Sequence, residues 1–202
     1  LNLCPKEPLT DKAEDLAAAV RHDGYANRWF LDPVYFGTYP EDMWKWYENR
    51  GVTMPEILDK DMELISVPVD FLGFNYYNID YTVDDKNVWP IEFATGFSGG
   101  NPMTHYQMPV IPEGLYKILV RLHKDYHPSK IYITENGASY QEHPDRNGQI
   151  LDEARIDYIY THLEMAHKAM EEGVPLAGYF VWSLLIILSG LPAMKTSLAL
   201  YT

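Results

Sequence analysis

The chain has 202 residues, 47% apolar and 22% charged, enough for a globular domain with its own core. Its formal net charge of −13 repels phosphate backbones and anionic lipid, which argues against nucleic acid and membrane surfaces as partners. The single Cys4 cannot close an internal disulfide, and no apolar run is long enough to span a bilayer, so a cytoplasmic protein is expected.

The chain opens on Leu1 rather than methionine, and Leu1–Pro5 reads as the end of a strand belonging to a longer reading frame. Asp11 to Glu14 has capping-box spacing, which predicts a helix to about Phe30, stopped by Asp32-Pro33. Tyr35 to Tyr39 reads as loop, and a shorter helix follows from Pro40 to Asn49. Asp70–Tyr77 is a near-continuous apolar run, as in a strand buried on both faces. Residues 80–111 show no sustained period and read as a long excursion. Pro112-Glu113-Gly114 then opens a helix with Leu115, Ile118, Leu119 and Leu122 on one face.

The most informative stretch is Lys130–Ala138. Its alternating β-branched and aromatic residues predict a strand ending at Glu135, followed at once by Asn-Gly turn chemistry. A carboxylate there can attack a sugar carbon, move a proton or hold a metal. It can equally cap a helix or pair with an arginine. After a polar loop over 141–152, a helix is expected from Glu153 to about Glu172, stopped by Gly173, with Ile156, Ile159 or Tyr160, Leu163, Ala166 or His167, and Met170 on its apolar face. His162 and His167 lie five apart, a spacing that suits a surface better than a metal. Gly178–Leu185 reads as a further buried strand.

Helix and strand therefore alternate, which implies parallel strands with helical crossovers. In a parallel sheet all the carboxyl ends face one way, so Asn75 and Tyr77, Glu135 and Trp182 can converge. The 16 Tyr and 5 Trp supply faces for sugar stacking, although tyrosine-rich cores are also common.

Taken in order, Asn27–Pro33, Asp70–Tyr77, Pro112–Tyr116, Ile133–Gly137 and Gly178–Leu185 resemble the C-terminal part of glycoside hydrolase family 1, of β-glucosidase type. The resemblance implies an α/β fold: a partial (β/α)8 TIM barrel, from the end of strand five through strand eight with their helices. It implies a retaining β-glycosidase with Glu135 as nucleophile and Tyr77 hydrogen-bonded to it. Asn75 would line the pocket and Trp182 would lie under the non-reducing sugar. Met108 falls on the aglycone side, where the family usually has tryptophan. The implied substrate is a β-glucoside or oligosaccharide, with no cofactor and no metal.

Two departures stand out. The family's acid/base glutamate lies in a TFNEP-like motif that this sequence lacks. After Leu185 the family continues DNFEW, whereas this chain reads Ile186-Ile187-Leu188-Ser189-Gly190. Deleting the first base of GAT AAT TTT GAG TGG yields those five residues, so the expected division is residues 1–185 as half-barrel and 186–202 as a frameshifted tail. The lost glutamate and tryptophan would have gripped the sugar, and the recovered DNFEW pattern points to unphosphorylated glycosides.

A piece of a barrel exposes sheet edges and an inner face, here expected to carry Phe71, Phe74, Tyr132 and Phe180. Self-association, or pairing with an N-terminal half-barrel, follows as an expectation. Without a proton donor, hydrolysis by this chain alone should be weak, since general acid catalysis is worth ~10² to 10⁴ in rate. The alternative is an inert, self-associating half-barrel with at most weak sugar binding.

Overall fold

The computed structural model describes residues 1–141 and 143–183. In chain order its elements are β1 (Lys6–Pro8), α1 (Ala13–Asp23), a π turn (Gly24–Arg28), α2 (Trp29–Phe36), α3 (Glu41–Glu48), α4 (Asp61–Ile65), β2 (Leu72–Asn75), β3 (Asp80–Asp84), β4 (Phe93–Gly96), α5 (Pro112–Tyr126), β5 (Ile131–Asn136), α6 (Glu153–Glu171) and β6 (Leu176–Val181). They group into two units. The first takes in Leu1–Asn2, Phe71–Asn78 and the chain from Gly100; the second is Leu3–Asp70 with Ile79–Gly99.

The first unit is a parallel sheet in the order β2-β5-β6. Helices α5 and α6 are the crossovers, giving two successive βαβ units, as the alternation of elements implied. On α5 the expected stripe Leu115, Ile118, Leu119 and Leu122 is buried. Leu72, Phe74, Ile131 and Ile133 are buried on one face of the sheet. Burying a side chain of this size stabilises by about 1.5–3 kcal/mol. Asn2 bridges Asn75 in parallel, as a preceding strand end would.

The expectation that Asp70–Tyr77 is buried on both faces does not hold. Phe74 is 0% exposed but Phe71 is 53% exposed, because the pleat sends them to opposite faces. The second face carries Phe71 edge-on to Tyr132 at 5.2 Å, and Tyr132 is 6.5 Å from Phe180. Phe74 therefore leaves the set of exposed inner-face residues, while Phe71 and Phe180 remain in it.

Helix α6 spans the expected residues, and Gly173, at φ +91°, follows its C-cap. Its buried face shares only Ala166 with the expected one. Arg155, Tyr158, His162, Ala166 and Ala169 are buried, whereas Ile156 (61% exposed), Tyr160, Leu163 and Met170 are exposed. Both stripes have helical period. The polar one is buried because β5 and its following loop offer it hydrogen-bond partners: the Arg155 guanidinium donates to the Ala138 carbonyl at 3.2 Å, and Tyr158 meets the Asn136 amide at 3.0 Å. His162 is accordingly buried, donating from Nδ1 to the Tyr158 carbonyl at 2.7 Å, while His167 is exposed.

In the second unit, β1 pairs parallel with β3, and β3 pairs antiparallel with β4. The 80–111 segment is thus no plain excursion, and the strands of the chain are not all parallel. Aspartates at both ends of β3 mask its strand signal, and ion pairs of Lys6 with Asp80 and of Arg21 with Asp84 compensate them. The first helix does not stop at Asp32-Pro33 either. It passes through the π turn into α2, so Tyr35 and Phe36 are helical, and it ends at Gly37, whose φ of +68° suits glycine. Pro33 removes one backbone donor, but its carbonyl still accepts from Gly37 N at 3.1 Å. Helix α3 lies where Pro40–Asn49 was expected; α4 was not expected. Leu184, Leu185 and the 186–202 tail lie outside the described residues.

Candidate active site

Three strand ends of the first unit build the site. Strand β5 alternates through Ile131 and Ile133, both buried, and then loses its regular register: Ile133 pairs with Phe74, but Glu135 pairs with Asn75. The irregularity leaves Thr134 exposed, Glu135 half-buried and Asn136 buried, so the carboxylate escapes the helix-covered face on which strict alternation would have placed it. The Tyr77 phenol donates to Glu135 Oε2 at 2.7 Å, and Tyr76 N donates to the Glu135 carbonyl at 2.9 Å. Burial first, and then the hydrogen bond to Glu135, push the Tyr77 phenol well above the ordinary tyrosine range, so it stays a neutral donor.

Asn75 is fixed by Thr134, whose hydroxyl donates to Asn75 Oδ1 at 2.6 Å. That orientation leaves the Asn75 amide hydrogens available to a ligand. Trp182 follows β6, and its backbone N donates to the Asn136 carbonyl at 2.9 Å; its side chain belongs to a residue 38% exposed. A Cβ on Gly137 would stand 1.9 Å from the Trp182 carbonyl oxygen, so only glycine lets the two strand ends approach this closely. Met108 makes no hydrogen bond to this group. It sits half-buried in the loop before α5, with its backbone tied to Thr104: the carbonyl accepts at 2.9 Å and the N–H donates to the hydroxyl at 3.1 Å.

Glu135 is therefore neither a helix cap nor, among the described residues, an ion-pair partner of an arginine. Its carboxylate is oriented by one neutral donor at Oε2, with Oε1 left for chemistry. Among the described residues no group of three or more His, Cys, Asp or Glu is placed to hold a metal ion. Sequence reasoning passed over Thr134 and Asn136, and read Tyr158 and Tyr179 only as parts of a helix and a strand. The alternation of Thr134 against Ile133 was the available signal for the first. The others act through tertiary contacts that no local pattern reveals.

A parallel sheet with helical crossovers and polar groups gathered at its carboxyl edge is the architecture of part of a TIM barrel. Residues 1–201 match the family described as "Glycosyl hydrolase family 1", and this chain belongs to that family. It is 39% identical to Beta-glucosidase A of Acetivibrio thermocellus over 191 residues, covering 92% of this chain and 41% of the relative. Beta-glucosidase A of Thermotoga maritima is 39% identical over 181 residues, covering 89% of this chain and 39% of the relative. Among solved structures, the Thermotoga maritima β-glucosidase in complex with deoxynojirimycin superposes with a TM-score of 0.89 at 34% identity, over 98% of this chain and 44% of that one. A β-glucosidase from Exiguobacterium marinum gives 0.89 at 34% identity, over 98% and 45%. The chain thus spans about two fifths of the length of the relatives it matches.

Proposed function

We propose that this chain is the nucleophile-bearing part of a retaining β-glucosidase, the end of strand five through strand eight of the barrel, over residues 1–185. The observation that carries the reading is the 2.7 Å hydrogen bond from Tyr77 to Glu135 at the carboxyl edge of the sheet. Glu135 attacks the anomeric carbon of a β-glucoside through its free oxygen, the aglycone leaves, and water later releases the sugar from the glycosyl ester. Tyr77 stays protonated throughout and holds the other carboxylate oxygen. Asn75 donates to a sugar hydroxyl, the Trp182 indole lies against the sugar, and Met108 touches the aglycone. The family's acid/base glutamate lies on a part of the barrel that this sequence does not contain. The reading therefore assigns this chain slow turnover, confined to substrates whose leaving group needs no proton. The altered residues from Ile186 are read as a frameshifted tail, which sequencing of the coding DNA tests.

The test is hydrolysis of a dinitrophenyl β-glucoside by the unaltered chain and by Glu135→Gln. Turnover that disappears in the variant supports the reading; equal rates remove Glu135 from the mechanism.

A second reading rests on the open sheet face. Phe71 and Phe180 are more than half exposed, with Tyr132 between them. Contiguous aromatic surface of this kind favours burial against another molecule. In this reading the chain is an inert half-barrel that pairs with itself or with an N-terminal half. Sedimentation showing a stable monomer at high concentration would refute the pairing.

A further inference from the structure

Asn136 follows the proposed nucleophile but faces away from it. It is fully buried, and its side chain is occupied on every side. Its Nδ2 donates to the Tyr76 carbonyl at 2.8 Å and to Tyr158 Oη at 3.0 Å, and its Oδ1 accepts from the Tyr179 phenol. Its backbone carbonyl accepts from Trp182 N at 2.9 Å. One residue thus joins β2, β5, β6 and α6 directly behind the site.

The contact with Tyr76 has a specific consequence. The Tyr76 carbonyl belongs to the peptide unit that leads into Tyr77. Tyr76 N–H is held by the Glu135 carbonyl, and the buried Tyr76 phenol donates to the Ile111 carbonyl at 2.6 Å. Tyr76 is therefore fixed at its N–H, its C=O and its ring, and the C=O constraint, the one adjoining Tyr77, comes from Asn136. Removing that amide frees the peptide that aims the Tyr77 phenol at Glu135.

We infer that Asn136 is a positioning residue, whose buried side-chain amide sets the peptide before Tyr77 so that phenol and carboxylate meet, while its backbone carbonyl holds the N–H of Trp182. The inference deepens the proposed hydrolytic reading and rests on it for its bearing on the reaction. The geometric part stands on the hydrogen bonds alone. A satisfied buried network of this kind is rigid because each member left alone would be an unpaired polar group in the core.

The experiment follows the Tyr77 phenol by NMR in protein labelled with 13C at tyrosine Cζ, its signal identified by loss in Tyr77→Phe. In the unaltered chain the Tyr77 signal stays that of a neutral phenol through the range near ~10 where ordinary tyrosines ionise. In Asn136→Ala it ionises within that range, near the ordinary value of ~10. Tyr179→Phe, which removes only the hydroxyl donating to Asn136 Oδ1, keeps the ring and shifts Tyr77 the same way by less. It decides the matter if Asn136→Ala does not fold. With dinitrophenyl glucoside, Asn136→Ala lowers kcat about 10-fold to 100-fold with KM nearly unchanged, as misplacement of a reacting group does. Absence of turnover in the unaltered chain would sink the hydrolytic reading and leave the phenol titration to decide Asn136. A folded Asn136→Ala, or Tyr179→Phe, that melts lower but leaves the Tyr77 titration unmoved would overturn the inference: the residue would then be glue only.

Discussion

The carboxylates around β3 in the second unit and Glu135 at the end of β5 in the first are held in opposite ways. In the second, carboxylates face cations: Lys6 Nζ is 2.5 Å from Asp80, Arg21 is 2.7 Å from Asp84, and Arg50 is 2.8 Å from Glu92. Burial alone would raise Asp80 and Asp84, but the neighbouring cations hold both below the ordinary carboxylate range. Glu92 is drawn down to about 2, chiefly by its hydrogen bond from Arg50. In the first unit, Glu135 meets a phenol instead. A cation saturates a carboxylate and makes it a structural element. A neutral donor orients it and leaves its charge to react. The contrast separates what holds this chain together from what it can do.

That contrast predicts a double dissociation. The largest effect is on rate: Glu135→Gln lowers dinitrophenyl glucoside turnover by about 10³-fold or more while urea denaturation shows nearly unchanged stability. Lys6→Met does the reverse. It leaves the part-buried Asp80 carboxylate with only the Cys4 thiol and His22 beside it among the described residues and lowers stability in urea by about 2 kcal/mol.

The next effect depends on pH. Burial, with Lys6 adding to it for His22, lowers both His22 and His162 to about 4. His22 faces Lys6, Asp80, Asp23 and Thr82, and His162 faces Tyr158 and Glu113. Between about 4 and the unfolded value near ~6.5, the unfolded chain binds more protons than the folded one, so stability rises with pH there. It is full above that window and falls as pH drops through it, by roughly 3 kcal/mol per histidine at most. Urea midpoints at pH 7 and pH 4.5 for the unaltered chain and His162→Phe check this: the variant shows the shallower slope. The smallest effect belongs to Lys45→Ala. It breaks the exposed pair with Glu41, and its melting temperature stays within experimental scatter of the unaltered chain.

Much of the first unit was legible in the sequence, because local chemistry there agrees with the fold. The Leu115–Leu122 stripe, the Ile131–Ile133 strand and the Gly173 stop each carry their own signal. So did the meeting of Tyr77 and Glu135, through the rule that parallel strands gather their carboxyl ends. The buried face of α6 was misread because two stripes share one period, and the winning stripe, Arg155 to Ala169, is chosen by partners on β5 and its loop. The β3–β4 pair was missed because its aspartates resemble loop chemistry until Lys6 and Arg21 are seen against them. Asn136 was passed over as turn chemistry, since a buried side-chain hub leaves no periodic trace.

The most direct measurement is trapping of the covalent intermediate. The chain is incubated with a 2-deoxy-2-fluoro-β-glucoside carrying a dinitrophenyl leaving group, then digested and mapped by mass spectrometry. One fluoroglucosyl adduct on the peptide containing Glu135, absent from Glu135→Gln, is the expected result. An adduct on a different carboxylate, or none in a chain that still hydrolyses the unfluorinated glucoside, would contradict the assignment of Glu135 as nucleophile.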